Sequence, residues 1–279
     1  MIVDAHQHFW KIDRGDYFWM DGSVAEIRRD ILPVDLIPHA KTCGVTASIA
    51  VQAAPTVAET EYLLDLAQQS PLVQGVVGWV DLDNDHAEAS LERLAANPLF
   101  KGVRPMLQDI EETNWILKPT VFANLSVVSR LSLTFEALVQ PRHLSVLKKV
   151  AEALPDLKMV IDHCAKPVIA GGKDAGDEWR SNILRLAGHH QIYCKLSGLA
   201  NEFGSEWSKD TLKPVFDHVL DAFGPTRLMW GSDWPVLELA GTYEDWFHCA
   251  QALTHRLGEE ERSMIFGGAA CEFYQIQLS

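Results

Sequence analysis

A single (β/α)₈ barrel is the fold this sequence predicts, and three observations predict it. Eight short apolar, β-rich runs alternate with longer segments of helical spacing. Such alternation implies parallel strands joined by crossover helices. The chain, at 279 residues, is long enough for one barrel, and it carries neither a dinucleotide fingerprint nor a linker-like stretch. The expected organisation is one domain over residues 1–279.

Taken in order, the expected strands are residues 2–8, 45–52, 73–82, 101–107, 132–139, 158–163, 191–197 and 227–233. Helices are expected at 60–69, 88–96, 121–130, 143–154, 179–188, 211–223 and 243–255. Leu212, Val215, Phe216, Val219 and Leu220 show the helical period plainly, and Val146, Leu147, Val150 and Leu154 repeat it. Pro98, Pro119, Pro141, Pro155 and Pro225 punctuate element ends, as a fixed φ and a missing N–H require. Residues 9–33 are too long for a simple turn and are expected to cover one mouth of the barrel. The glycine-containing loop 165–177 lacks the spacing of a phosphate loop.

Composition narrows the function classes. Apolar residues make up 47% and charged residues 22%, an ordinary globular mixture. A net charge of −14 argues against a nucleic-acid partner, which needs clustered Lys and Arg. No apolar run spans a bilayer, so no membrane partner is expected. The opening residues lack the charged and apolar regions of a secretory signal, and the five scattered cysteines contain no C-x-x-C pair. The expectation is a cytoplasmic, thiol-reduced chain.

Barrel enzymes gather their catalytic groups at the C-terminal ends of strands. Here the first strand ends in Asp4-Ala5-His6-Gln7-His8, the sixth in Asp162-His163 and the eighth in Gly231-Ser232-Asp233. Strand alternation predicts that His6 and His8 face the mouth while Gln7 faces away. Two imidazoles and a carboxylate at one mouth suit a divalent metal with His6, His8 and Asp233 as ligands, or proton transfer and carbonyl polarisation. The structural alternatives are a helix-capping Asp233 and a core imidazole at His163. Arg104, ending strand four, is a permanently charged fork suited to a substrate oxygen, or else an ion-pair partner. Gln52, Trp79, Gln108, Lys166 and Trp234 fall at or near the same mouth and are expected to contact substrate; Trp10 lies there too, the alternatives being tryptophans that line the core rim and a Lys166 in solvated loop.

These residues carry a resemblance. V-D-A-H-Q-H-F-W (3–10), I-D-H-C-A-K-P (161–167), K-L-S-G-L (195–199), W-G-S-D-W-P-V (230–236) and F-G-G-A-A-C-E-F-Y (266–274) resemble the amidohydrolase superfamily. Within it they are most similar to the sugar-lactonase branch, the L-fuconolactonase and L-rhamnonolactonase type. The resemblance implies hydrolysis of a sugar lactone, a small-molecule partner; the oligomeric state stays open, a homodimer being one option. Asp233 would deprotonate water, while His6, His8, His163 and Arg104 polarise the carbonyl.

The resemblance also implies differences. Binuclear members add a Lys or Glu at strand four and a His at strand five, where this chain has Val103-Arg104-Pro105 and Phe135-Glu136-Ala137. The expected cofactor is therefore Zn²⁺ or another divalent ion, mononuclear at most, with Glu136, water or substrate completing it. Metal-free catalysis stays open. The alternatives are a metal-dependent non-oxidative decarboxylase of the same superfamily and an inactive ligand-binding barrel.

Overall fold

The strands hold so little sequence each that pairing, not propensity, must define them. Among the 1–277 that the computed structural model describes, they are β1 Val3–Gln7, β2 Ala47–Val51, β3 Val73–Gly78, β4 Phe100–Val103, β5 Thr134–Ala137, β6 Met159–Ile161, β7 Ile192–Leu196 and β8 Leu228–Trp230. All pair in parallel, in the order of the chain. A bridge between Gln7 and Trp234 closes the ring, with His8 N donating to Trp234 O and Asp233 N to His6 O, both at 2.8 Å. The (β/α)₈ barrel is therefore the observed fold. Residues 278–279, the end of the expected domain, lie outside the described residues.

The helices are α1 Pro33–Cys43, α2 Val57–Gln69, α3 Ala87–Ala95, α4 Pro119–Arg130, α5 Leu144–Ala153, α6 Asp177–Ala187, α7 Leu199–Phe203, α8 Lys209–Phe223, α9 Tyr243–Leu253, α10 Glu259–Ser263 and α11 Ala269–Tyr274. None among the described residues is long and apolar enough to cross a membrane. The sequence reading leaves 34–44 unassigned, and prolines at 33 and 38 disfavour a helix interior there. Pro33 instead occupies the first turn, where its missing N–H costs nothing, and α1 tolerates Pro38 within it.

Two apolar cores result. The larger lies between strands and helices and includes Phe135, Ile161, Cys194, Leu196 and Trp230. The smaller fills the barrel with Val3, Ala5, Ile49, Val77, Val160 and Met229, and Phe273 and Tyr274 of α11 join it. Along β7 the alternation is clean: Ile192, Cys194 and Leu196 pack outward, leaving Lys195 to face the interior.

Residues 9–33 do fold over the mouth. Trp10 and Ile31 exchange backbone hydrogen bonds at 2.9 Å, and the Trp19 indole donates to Ala53 O at 2.8 Å.

Candidate active site

Strand one does not deliver its histidines by simple alternation. Asp4 pairs with Ser48 but Gln7 with Ala50, so β1 spends three steps where β2 spends two. This bulge re-aims the chain. Asp4, two residues before His6, accepts from Tyr243 Oη of α9 (3.0 Å) and Ser232 N (2.8 Å), outside the barrel. His6 and His8 instead turn inward to Asp233. Gly231 lies against His6, where a Cβ would come within 2.7 Å of the His6 Cβ.

The other two site elements leave their strands early, which corrects the expected strand ends at 163 and 233. β6 stops at Ile161, and His163, Cys164, Ala165 and Lys166 follow with φ of 51°, 53°, 61° and 48°. Non-glycine residues adopt this left-handed region at about 1–2 kcal/mol each. Such strain persists only where surrounding structure enforces it, commonly at functional sites. Here Trp179 Nε1 donates to Cys164 O (3.0 Å) and Ser197 Oγ holds His163 Nδ1 (2.8 Å). β8 stops at Trp230, and Asp233 takes φ 60°. These turns swing His163 and Asp233 together.

The convergence point is Asp233 Oδ1. His8 Nε2 lies 3.3 Å from it, His6 Nε2 3.6 Å and His163 Nε2 3.8 Å. Donors on a tetrahedral ion with bonds of about 2.0–2.1 Å stand roughly 3.4 Å apart, so these spacings suit one metal ion. His6, His163 and Asp233 form a mutually close donor group, and His8 adjoins it through Asp233. His8 Nδ1 faces the Val51 carbonyl at 2.8 Å, a pure acceptor, so it carries the proton. His8 then turns Nε2 toward the Asp233 carboxylate, at 3.3 Å.

Protonation states agree. Burial pushes His163 down to about 4 and, with Lys195 nearby, pushes His6 well below its ordinary value. Burial opposes ionisation of Asp233, but the facing imidazoles, His163 first, hold its carboxyl below the usual range. Near neutral pH the group thus holds neutral His6 and His163 and an anion, the forms a metal binds. His6 has partners for either tautomer. Asp162 Oδ1 lies 3.4 Å from Nδ1 and Lys195 Nζ 3.1 Å, while Arg104 Nη1 lies 3.3 Å from Nε2. Ligation of a metal through Nε2 would select the form that carries its proton on Nδ1, the atom facing Asp162.

Above this group opens a cavity of about 280 Å³. His8, Arg104, Gln108, Asp109, His163, Lys166 and Asp233 supply its polar lining, and its apolar walls include Trp19, Val24, Leu138 and Leu239. The remaining expected contacts sit elsewhere. Gln52 is fully buried and binds Arg104: its Nε2 donates to Arg104 O (2.9 Å), and its carbonyl oxygens accept from Arg104 Nη2. Trp79 lines a neighbouring apolar cavity of about 520 Å³ with Phe18 and Trp115. Trp234 is buried, its indole donating to Glu238 (2.8 Å), and Trp10 is buried beneath the covering loop. Glu136, expected to complete a metal site, binds Lys195 instead, at 2.7 Å.

Sequence reasoning missed Lys195, Ser197 and Glu59, and it placed Asp162 at a strand end without giving it a role. Lys195 did leave a signal, as the one charged residue of a strand otherwise made of Ile, Tyr, Cys and Leu.

Known proteins are similar to this chain over nearly its whole length. The chain is 43% identical over 278 residues to an L-fucono-1,5-lactonase of Burkholderia ambifaria, covering 98% of this chain and 95% of the relative. It is 34% identical to an L-fucono-1,5-lactonase of Burkholderia multivorans, covering 98% and 96%. A crystal structure of a Burkholderia multivorans amidohydrolase with bound zinc superposes with a TM-score of 0.93 at 32% identity, covering 99% of this chain and all of that one. The amidohydrolase family model matches residues 3–276, taking in every strand and every donor at the barrel mouth, and the chain belongs to that family.

Proposed function

We infer that this protein is a hydrolase that opens the cyclic ester of a sugar-derived lactone. The observation that carries the reading is the Asp233 carboxylate, placed at the floor of a small, largely apolar cavity with Arg104 and Lys166 among its few polar groups. The two L-fucono-1,5-lactonase relatives support it. A cavity of about 280 Å³ is at the small end for ligand sites, which suits a single sugar ring.

The residues divide the work. Asp233 accepts a proton from the attacking water as its oxygen bonds to the carbonyl carbon. A carboxylate this acidic is a weak base. A divalent ion held by His6, His163 and Asp233, zinc being our choice, supplies a more acidic water when bound. Charge developing on the carbonyl oxygen falls to Arg104 and Lys166, because His6 and His163 are neutral and His6 is sealed from the cavity. Collapse of the tetrahedral intermediate breaks the ring C–O bond, and Asp233 returns its proton to the departing oxygen. The product is an open hydroxy acid.

The test is acid release from a panel of 1,4- and 1,5-aldonolactones, beginning with L-fucono-1,5-lactone. Turnover is expected, with Asp233→Asn lowering kcat about 10²–10⁴-fold. Chelation followed by zinc return separates a metal-assisted from a metal-free reaction. Folded protein that releases no acid from any lactone, but frees CO₂ from a hydroxybenzoate, would replace this reading with the decarboxylase.

A further inference from the structure

Directly under the Asp233 group the barrel holds a second set of metal-type donors. His6, Glu136 and Asp162 are all fully buried, and their ligand atoms lie within 4.8 Å of one another. That set already contains a cation. Lys195 Nζ stands 2.7 Å from Glu136 Oε2, 3.3 Å from Asp162 Oδ1 and 3.1 Å from His6 Nδ1. We propose that Lys195 is a built-in cation occupying the place of a divalent ion among His6, Glu136 and Asp162, so that the barrel is limited to one metal by occupancy.

The physical reasons are local. A buried carboxylate needs a compensating charge, and two lie here without solvent. Glu136 is otherwise satisfied by Tyr274 Oη from α11. Asp162 is not: neither of its oxygens has a well-formed hydrogen bond, and it is held by charge, from Lys195 and from Arg104 at 3.5 Å. A metal ion in this group would stand within a bond or two of an ammonium, with no dielectric to soften the repulsion. The upper group has no such resident. Arg104 flanks it through His6, but no ammonium stands among His6, His163 and Asp233. A missing strand-five histidine is therefore a poor reason to expect a single metal, since Glu136 supplies a ligand at that strand.

Removing the ammonium should reveal the lower site. Untagged protein is equilibrated with zinc, freed of loosely bound ion by dialysis, and its metal content per chain measured. Wild type is expected to retain no more than one ion. Lys195→Ala should retain one more than wild type and gain thermal stability with zinc. Lys195→Arg should return to the wild-type count. In the Lys195→Ala/Asp233→Asn double variant the extra ion should persist, which places it in the lower group. Two tightly held ions in the unmodified chain would overturn the proposal whether or not any variant folds. So would a folded Lys195→Ala that gains no ion, or an unfolded one that zinc fails to rescue.

Discussion

The two ends of this barrel are built on opposite principles. At the closed end, Val3, Ile49, Val77 and Met229 meet Phe273 and Tyr274 of the last helix, an apolar plug that first meets a carboxylate where Tyr274 Oη donates to Glu136. At the open end, His8, His163 and Asp233 bring two imidazoles and a carboxylate together, with His163 and Asp233 on backbone held in left-handed conformations. The closed end is packed for stability. The open end spends stability to aim a few atoms, the usual division in barrel enzymes.

That contrast can be broken from either side. The largest expected effect is Asp233→Asn: the loss of turnover given above should far outweigh any loss of stability, because the amide keeps the side chain's size and one oxygen toward the imidazoles. Thermal melting alongside kinetics checks it, and a fall in Tm matching the fall in activity would count against the division. Gly198→Ala comes next. Gly198 has φ +66°, and an added Cβ would fall 2.6 Å from His163 Nδ1, so the imidazole must leave Ser197. Displacement on that scale should cost about 10²-fold in kcat, read from steady-state kinetics.

Phe273→Ala tests the other end. This ring is 1% exposed in the barrel plug, and its removal should cost about 3–5 kcal/mol in urea unfolding. KM and kcat of the folded fraction should be unchanged, and a raised KM would show that the ends are coupled.

The smallest effect sharpens the contrast by pH. Glu59, in the first turn of α2 beneath the mouth, accepts from Ala53 N at 2.9 Å, but its Oε2 has no partner. Burial pushes its carboxyl up to about 8 from 4.5. The folded state therefore holds the proton more tightly than the unfolded chain. Its contribution is fully present below about pH 4.5 and is lost as pH rises through 8. Glu59→Gln keeps the acceptor and cannot ionise, so its unfolding free energy should exceed wild type at pH 9 by on the order of 3 kcal/mol, narrowing toward pH 5. Parallel curves for the two proteins would refute the assignment.

How far the sequence alone reached is best seen residue by residue. His6, His8, His163 and Asp233 were legible because ionisable residues closing apolar runs stand out, and barrel topology puts strand ends at one mouth. Arg104 was legible for the same reason. Gln52 and Trp234 were misplaced, since nearness to a strand end does not say whether a side chain reaches the cavity or a neighbour: Gln52 holds Arg104, and Trp234 holds Glu238. Helix α1 was hidden by its two prolines, whose cost depends on their position in a helix not yet identified.

The sequence by itself determined the barrel, its order of elements and the identity of the groups at its mouth. Periodicity and strand ends are one-dimensional signals that survive without coordinates. Only the tertiary structure decided three things: the bulge that sends Asp4 out while turning His6 in, the left-handed turn that carries His163 to Asp233, and the seating of Lys195 among the lower donors. Each depends on backbone register or on contacts between strands distant in the chain. Residue types fix what such groups can do, but packing fixes which of them meet.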